Sequence, residues 1–325
     1  MGFSKNYHFV CICCNIHVIR RNAHMISKEE LLETYNLTEE DFQAANISWE
    51  ELTAIYDDFK RKRPIYEIAR SSFLYEFLED TDAAGIHSFR SRIKDPEHLI
   101  VKIIRKRNEA YKKYKYLTKD NYEHFLTDLI GFRVFILFKE DWADFHTYIT
   151  SRITNDKHNY ISSWTEECPS DNCFIEAPKV HIRTGDKRDI YQKFIHDADI
   201  YTNKIYRSVH YTIKYRGIYL EIQLRTLFEE SWGEIDHKIA YPYYQHNENL
   251  NEFSAMINRL SGLADEMGSF FRKVKEREIE HLEHQKEASE NETAPTDMAY
   301  LDDAKEQVCS EPLTPADMLH TLLHE

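Results

Sequence analysis

The sequence predicts an α/β domain built on a mixed, mostly antiparallel sheet of about five strands, flanked by N- and C-terminal helices. Three observations carry that expectation. Two runs rich in β-branched and aromatic residues, Val209 to Tyr215 and Ile218 to Leu224, meet at Arg216-Gly217, where Gly217 supplies the positive φ of a hairpin turn. A further apolar run, Phe132 to Phe138, follows a long basic segment. Capped amphipathic segments bracket these strands on both sides, at Ser27 to Leu37 and Ser48 to Lys60 before them and at Glu252 to His284 after them.

Taken in order, residues 1–24 read as a leader, disordered or left by a misplaced start, because Met25 opens a tidier chain. Phe9 to Ile19 is too short for a membrane span and is interrupted by Asn15 and His17. Residues 25–84 form a helical region, with Ile65 to Glu79 as a third segment. Residues 85–245 then form the α/β domain. In it Asp95 is a fitting N-cap and Pro96 a fitting first helical residue, so Arg90, Arg92 and Lys94 lie in the strand or loop that enters a helix carrying Lys102 and Lys106. Cations beside a helix N-terminus gather anions; a basic helix can equally be just solvated. Asp128 precedes the buried run 132–138, a place for a Mg²⁺ ligand or for an ordinary turn carboxylate.

Asp156 to Cys173 is polar and irregular, and Lys179 to Thr184 reads as a short strand ending in Gly185-Asp186. In the hairpin, side-chain alternation sends Glu221, Gln223 and Arg225 to one face and Ile222 and Leu224 to the other. The apolar face is core, and the polar row is free to meet a ligand. A helix follows, with Thr226 as N-cap and Glu229 completing a capping box. Its polar stripe, Glu230, Glu234, His237 and Tyr241, lies opposite Leu227, Phe228, Ile235 and Ile239. Residues 246–284 are helical with a wide apolar stripe that either packs on the domain or joins copies of the chain. Residues 285–325 are an acidic linker with a short tail helix at Thr314 to Leu323. His281 with His284, and His320 with His324, lack the partners of a metal site.

Charge narrows the class of ligand. The net charge of −14 argues against coating nucleic acid, and residues 276–325 supply most of it, with 14 acidic and 3 basic residues. Arg90 to Lys115 reverses the balance, 10 basic against 3 acidic, a local cationic surface suited to a small polyphosphate. The six cysteines, Cys11, Cys13, Cys14, Cys168, Cys173 and Cys309, show no repeated CxxC and read as reduced thiols of a cytoplasmic protein.

The signatures YRSVH (Tyr206 to His210), EIQLRT (Glu221 to Thr226) and W-x-E-x-x-H-K (Trp232 to Lys238) resemble the synthetase domain of the RelA/SpoT family of alarmone synthetases, single-domain small members above all. The resemblance covers about Arg90 to Tyr244. It implies a nucleotidyltransferase-like sheet and transfer of pyrophosphate from ATP to the 3′-hydroxyl of GDP or GTP, with Mg²⁺. It maps the ATP site to Arg92, Lys94, Lys102 and Arg133, the metal to Asp128 and Glu221, and catalysis to Glu221 and Asp128. Tyr206, His210, Gln223, Arg183 and Lys187 fall at the acceptor site, where charged residues facing solvent remain the other reading of Arg183 and Lys187, and Arg225, Glu234 and His237 support them. Two departures stand out: His98 where many relatives have Ser, and Ile205 where they have Gly. The His-Asp hydrolase signature of long relatives is absent, His196-Asp197 being a polar turn, so product hydrolysis is not expected. Two other readings are a relative that pyrophosphorylates the 3′ end of tRNA, for which Arg61, Lys62, Arg63 and the run Lys112 to Lys119 offer basic surface, and a non-catalytic nucleotide-binding module. No membrane partner is expected.

Overall fold

The computed structural model describes residues 25–82, 84–153, 172–203, 206–236 and 248–292. The expectations placed on residues 1–24, on His237 and Tyr241, on most of 156–173 and on the tail beyond 292 lie outside them. The chain divides into two compact units after Val274, and all packing described below lies in the first.

Before the sheet come helices α1 (Lys28–Thr34), α2 (Glu39–Ala45) and α3 (Trp49–Phe73), whose last turn widens into a π-helical turn at Leu74–Leu78. Ser27, Thr38 and Ser48 cap the three, each accepting from a backbone N–H three residues on. The two segments expected at 48–60 and 65–79 are in fact one helix that runs through Pro64. Proline lacks a donor and disfavours a helix interior, but Tyr56, Phe59, Tyr66, Ala69 and Phe73 are buried along one side of α3, and their packing outweighs that local penalty.

Among the described residues the sheet has seven strands, where about five were expected: β1 (Ser88–Ile93), β2 (Ile130–Ile136), β3 (Asn172–Phe174), β4 (Lys179–Arg183), β5 (Ile200–Asn203), β6 (Ser208–Tyr215) and β7 (Ile218–Thr226). Their order is β1-β2-β7-β6-β4-β5, with β3 also on β6. The β2–β7 and β4–β5 pairings are parallel and the others antiparallel, so the sheet is mixed and mostly antiparallel. The hairpin turns at Arg216 and Gly217, both at positive φ, 50° and 80°, as a type I′ turn demands.

Between strands run α4 (Pro96–Glu109), the single turns α5 (Tyr111–Tyr114) and α6 (Tyr122–Phe125), α7 (Trp142–Ile153) and the short α8 (Asp189–Gln192). After β7 come α9 (Leu227–Ile235) and α10 (Glu248–Glu292). One sheet face is apolar: Phe132, Val134, Tyr211, Ile213, Ile222 and Leu224 are buried there. It receives α3 through Phe73, 4.9 Å from Phe132, and α7 through Phe145, 5.7 Å from Tyr211. The opposite face is polar. Among the described residues no helix is long and apolar enough to cross a membrane. Cys173 in β3 is disulfide-bonded, contrary to the reduced thiols expected.

Candidate active site

The register of the sheet assembles the site. Arg90 pairs with Arg133 and Arg92 with Gly131 across β1 and β2; Gly131 pairs with Glu221 and Arg133 with Gln223 across β2 and β7; Gln223 then faces His210 on β6. Because alternate residues share a face, one polar surface carries Arg90, Arg92, Arg133, Glu221, Gln223, Arg225 and His210.

At one end of this surface Asp128 lies 2.7 Å from both Lys94 Nζ and Lys102 Nζ. Lys94 is fixed by its backbone, whose N–H donates to Leu129 O at the start of β2, while Lys102 comes from the second turn of α4. Burial opposes the charge on Asp128, but the two ammonium groups outweigh it and bring its pKa down to about 2. Burial pushes the Lys94 pKa below its ordinary value. Asp128 Oδ1 is buried and makes no hydrogen bond. The helix N-terminus expected to gather anions is already satisfied, for Asp95 accepts from the amides of Glu97 and His98 at 2.9 and 3.1 Å. His98 turns aside, 3.4 Å from Asp95 and edge-on to the ring of Tyr35.

In the centre His210 Nδ1 lies 3.0 Å from Glu221 Oε1, to which Gln223 Nε2 donates at 3.3 Å. Burial favours protonation of Glu221, yet the His210 contact prevails and holds its pKa below the usual carboxylate range; the Asp128 charge works against that ionisation, which marks the two carboxylates as neighbours. Gln223 Oε1 accepts from Arg225 Nη2 at 3.1 Å, so the polar row of β7 is a connected chain.

The helix after β7 sits the other way round from the amphipathic reading. Glu229, Glu230 and Trp232 are buried, whereas Phe228 and Ile235 are 40% and 37% exposed. The polar stripe packs onto the sheet because the sheet face is itself charged. Glu230 lies 2.8 Å from Arg133, 3.7 Å from Arg90 and 3.5 Å from Arg225, and Glu234 pairs with Arg133 and, at 3.6 Å, with Arg90. Arg133, read as a phosphate ligand, is thus engaged by two glutamates. Arg92 is exposed at the sheet edge and, among the described residues, has no ion-pair partner. Thr226 caps α9 as expected, accepting from the amide of Glu229 at 3.2 Å, but the Glu229 carboxylate is buried against Arg183 at 2.6 Å and is drawn away from the capping box.

Tyr206 lies before β6 on the same side as His210, its ring 5.3 Å from His181, which is 5.0 Å from His210 and stacked at 5.5 Å on Tyr201. Burial and the neighbouring His210 bring the His181 pKa to about 4, so the His181 ring is uncharged at neutral pH. Sequence reading missed His181, although its place two residues after Lys179 in an alternating strand was the available signal. Arg183 does not join the group: besides Glu229 it reaches Asn258 O of α10 at 2.8 Å. Lys187 is exposed beyond β4. His237 falls outside the described residues. Two carboxylates, Asp128 and Glu221, with the buried Asp128 Oδ1 left unbonded while Oδ2 takes both lysines, could hold one Mg²⁺ that phosphate oxygens would complete; among the described residues no three His, Cys, Asp or Glu side chains gather into a protein-only metal cage.

Residues 91–246 match a family model described as a region found in RelA / SpoT proteins. No curated protein matches the sequence. Among solved structures, small alarmone synthetase 1 from Bacillus subtilis is 17% identical with a TM-score of 0.43, the match covering 71% of this chain and 98% of that one. Small alarmone synthetase 2 from the same organism gives 18%, 0.43, 68% and 99%. A GTP pyrophosphokinase family protein from Streptococcus pneumoniae gives 19%, 0.42, 68% and 93%.

Proposed function

We propose that this protein, a member of the RelA/SpoT family through residues 91–246, is a pyrophosphokinase that moves the β,γ-diphosphate of ATP to the 3′-hydroxyl of GDP or GTP, releasing AMP. The observation that carries the reading is Asp128, kept ionised between Lys94 and Lys102 with one buried oxygen unused, beside Glu221 on a face rich in arginine. Asp128 and Glu221 would hold Mg²⁺, which supplies charge neutralisation for the phosphates of ATP. Lys94, Lys102, Arg92 and Arg133 bind those phosphates once ATP draws them from their carboxylate partners, and this is positioning and electrostatic work. With His210 and Gln223 on its Oε1, Glu221 turns its other oxygen to the acceptor hydroxyl, able to take its proton or to complete the metal shell. Tyr206, backed by His181, offers a flat face for the guanine.

The test is incubation of the purified protein and Mg²⁺ with labelled ATP plus GDP, GTP or bulk tRNA, followed by separation of products. A 3′-pyrophosphorylated guanine nucleotide and AMP are expected. Label on tRNA alone would replace this reading with the tRNA one, for which Arg61, Lys62, Arg63 and the exposed lysines of the run Lys112 to Lys119 offer basic surface. Label on neither would leave the binding module.

Self-association through α10 belongs to the same proposal. Phe253, Met256, Leu260, Leu263 and Met267, each at least 50% exposed, recur at alternating spacings of three and four, the seam pattern of paired helices. Sedimentation should show a multimer that Leu260→Glu dissociates; a wild-type monomer at micromolar concentration would refute it.

A further inference from the structure

Arg207 follows Tyr206 directly, and its side chain is only 9% exposed. Its guanidinium is filled on every edge. Nε and Nη2 donate to the two oxygens of Asp186 at 2.7 and 2.5 Å, Nη1 donates to Asp265 Oδ2 at 3.1 Å, and Nη2 also donates to Glu266 Oε1 at 2.6 Å. Glu229 stands 3.9 Å from Nη1, and Lys139 holds the other side of Glu266 at 2.8 Å. Asp265 and Glu266 belong to α10, Asp186 to the turn after β4. The β6 ladder begins at Ser208, opposite His181, so Tyr206 lies outside the ladder and one residue from this anchor.

We infer that Arg207 is a positioning residue: Asp265 and Glu266 of α10, with Asp186, pin it behind Tyr206 and so set the ring against which the acceptor base stacks, making docking of the C-terminal helix a requirement for acceptor binding. This rests on the acceptor role proposed for Tyr206. Geometry supports it over simple bracing. A bidentate arginine restricts the backbone on either side of it, which a lysine or a single hydrogen bond does not. The anchor also gathers buried carboxylates that a bracing contact does not need: Asp265 and Glu229, the latter also 2.6 Å from Arg183, are both buried beside the Arg207 guanidinium. Burial raises the pKa values of Asp265 and Glu229, the mark of an arrangement kept against its own desolvation cost.

The experiment uses the full chain with Asp265→Asn, which keeps shape and removes one charge of the anchor. The KM for the guanine nucleotide should rise about tenfold while the KM for ATP and kcat at saturating acceptor stay within about twofold. In a Tyr206→Ala background the same substitution should add nothing to the acceptor KM; an additive rise would show that Asp265 acts elsewhere and overturn the proposal. Hydrogen–deuterium exchange of the peptide covering residues 206–212 supplies a readout free of activity. It should quicken in Asp265→Asn, and unchanged exchange there overturns the anchor whatever the enzyme does. Quickened exchange in a protein whose wild type turns over no guanine nucleotide would keep the anchor and overturn the acceptor role of Tyr206. Should Asp265→Asn fail to fold, Glu266→Gln, at a half-exposed position, should show the same KM split at about threefold; equal loss for both substrates would again overturn it.

Discussion

At the scale of residues, the site is a set of charges neutralised by one another. Asp128 holds Lys94 and Lys102; Glu230 and Glu234 hold Arg90, Arg133 and Arg225. On the proposed function, a triphosphate with its metal would exchange these partners, and the protein would carry its own counter-ions until then. Asp128→Asn should therefore do two things. It removes the proposed metal ligand, and kcat should fall by at least about 10². It also strands two ammonium groups, one of them well buried, and should lower stability by about 2 kcal/mol, seen as a fall in Tm. A variant with wild-type rate in Mg²⁺ would remove Asp128 from the metal site. Glu221→Gln keeps shape and loses charge, so kcat should drop at least about 10² with nucleotide KM values little changed. If Glu221 is a base, the residual rate loses pH sensitivity and the Mg²⁺ requirement stays; if it is a ligand, that requirement rises. Normal kcat on every acceptor would take Glu221 out of the chemistry.

At the scale of elements, helix α10 docks because a glycine leaves room. A Cβ placed on Gly262 would fall within the Arg183 guanidinium, which passes there to reach Asn258 O and Glu229. Gly262→Ala gains about 1 kcal/mol of helix propensity but displaces Arg183 from a nearly buried carboxylate, a loss of about 3 kcal/mol. A net fall in Tm is expected, and an unchanged or higher Tm would mean that Arg183 finds another path. The same element shows what the sequence could and could not say. The hairpin at Arg216-Gly217, the Asp95-Pro96 helix start and the polar row of β7 were legible because each rests on local geometry. The orientation of α9 was not, since an amphipathic pattern marks two faces without saying which one meets protein. Here the sheet face was charged, and Glu230 and Glu234 turned inward to meet it. The unbroken run of α3 through Pro64 and the commitment of Arg183 to Glu229 escaped for the same reason: long-range partners decided them. Strands β3 and β5 are of three and four residues, too short for a period to show.

At the scale of the whole molecule, pH separates the core from the site. His146 is fully buried in α7, stacked 4.9 Å from Trp142, 5.1 Å from Phe194, with Nδ1 3.2 Å from the Tyr211 hydroxyl. Burial alone brings its pKa to about 3. In the unfolded chain an imidazole titrates near 6.5. Between those values the unfolded state binds a proton that the native state refuses, so the cost is absent above pH 6.5 and grows as pH falls, by about 1.4 kcal/mol per unit. His181, with its pKa at about 4 and only partly buried, works in the same direction with a smaller effect. Asp128 has the opposite ancestry: its pKa, at about 2, lies below that of an unfolded aspartate, near 3.9, so its stabilisation is whole above that value and is lost only as pH falls toward 2. From pH 6.5 to 4.5 the two histidines work against the native state, while Asp265 and Glu229, whose pKa values burial raises, work the other way, so a comparison with a His146 variant is what isolates the imidazole. Urea unfolding of wild type and His146→Gln across that range should give stabilities that converge on acidification, the variant losing about 1.4 kcal/mol less per unit, whatever the substitution costs at pH 7.5. Parallel lines would mean that His146 accepts its proton in the folded protein, through an opening of the α7 packing that the buried imidazole does not otherwise show.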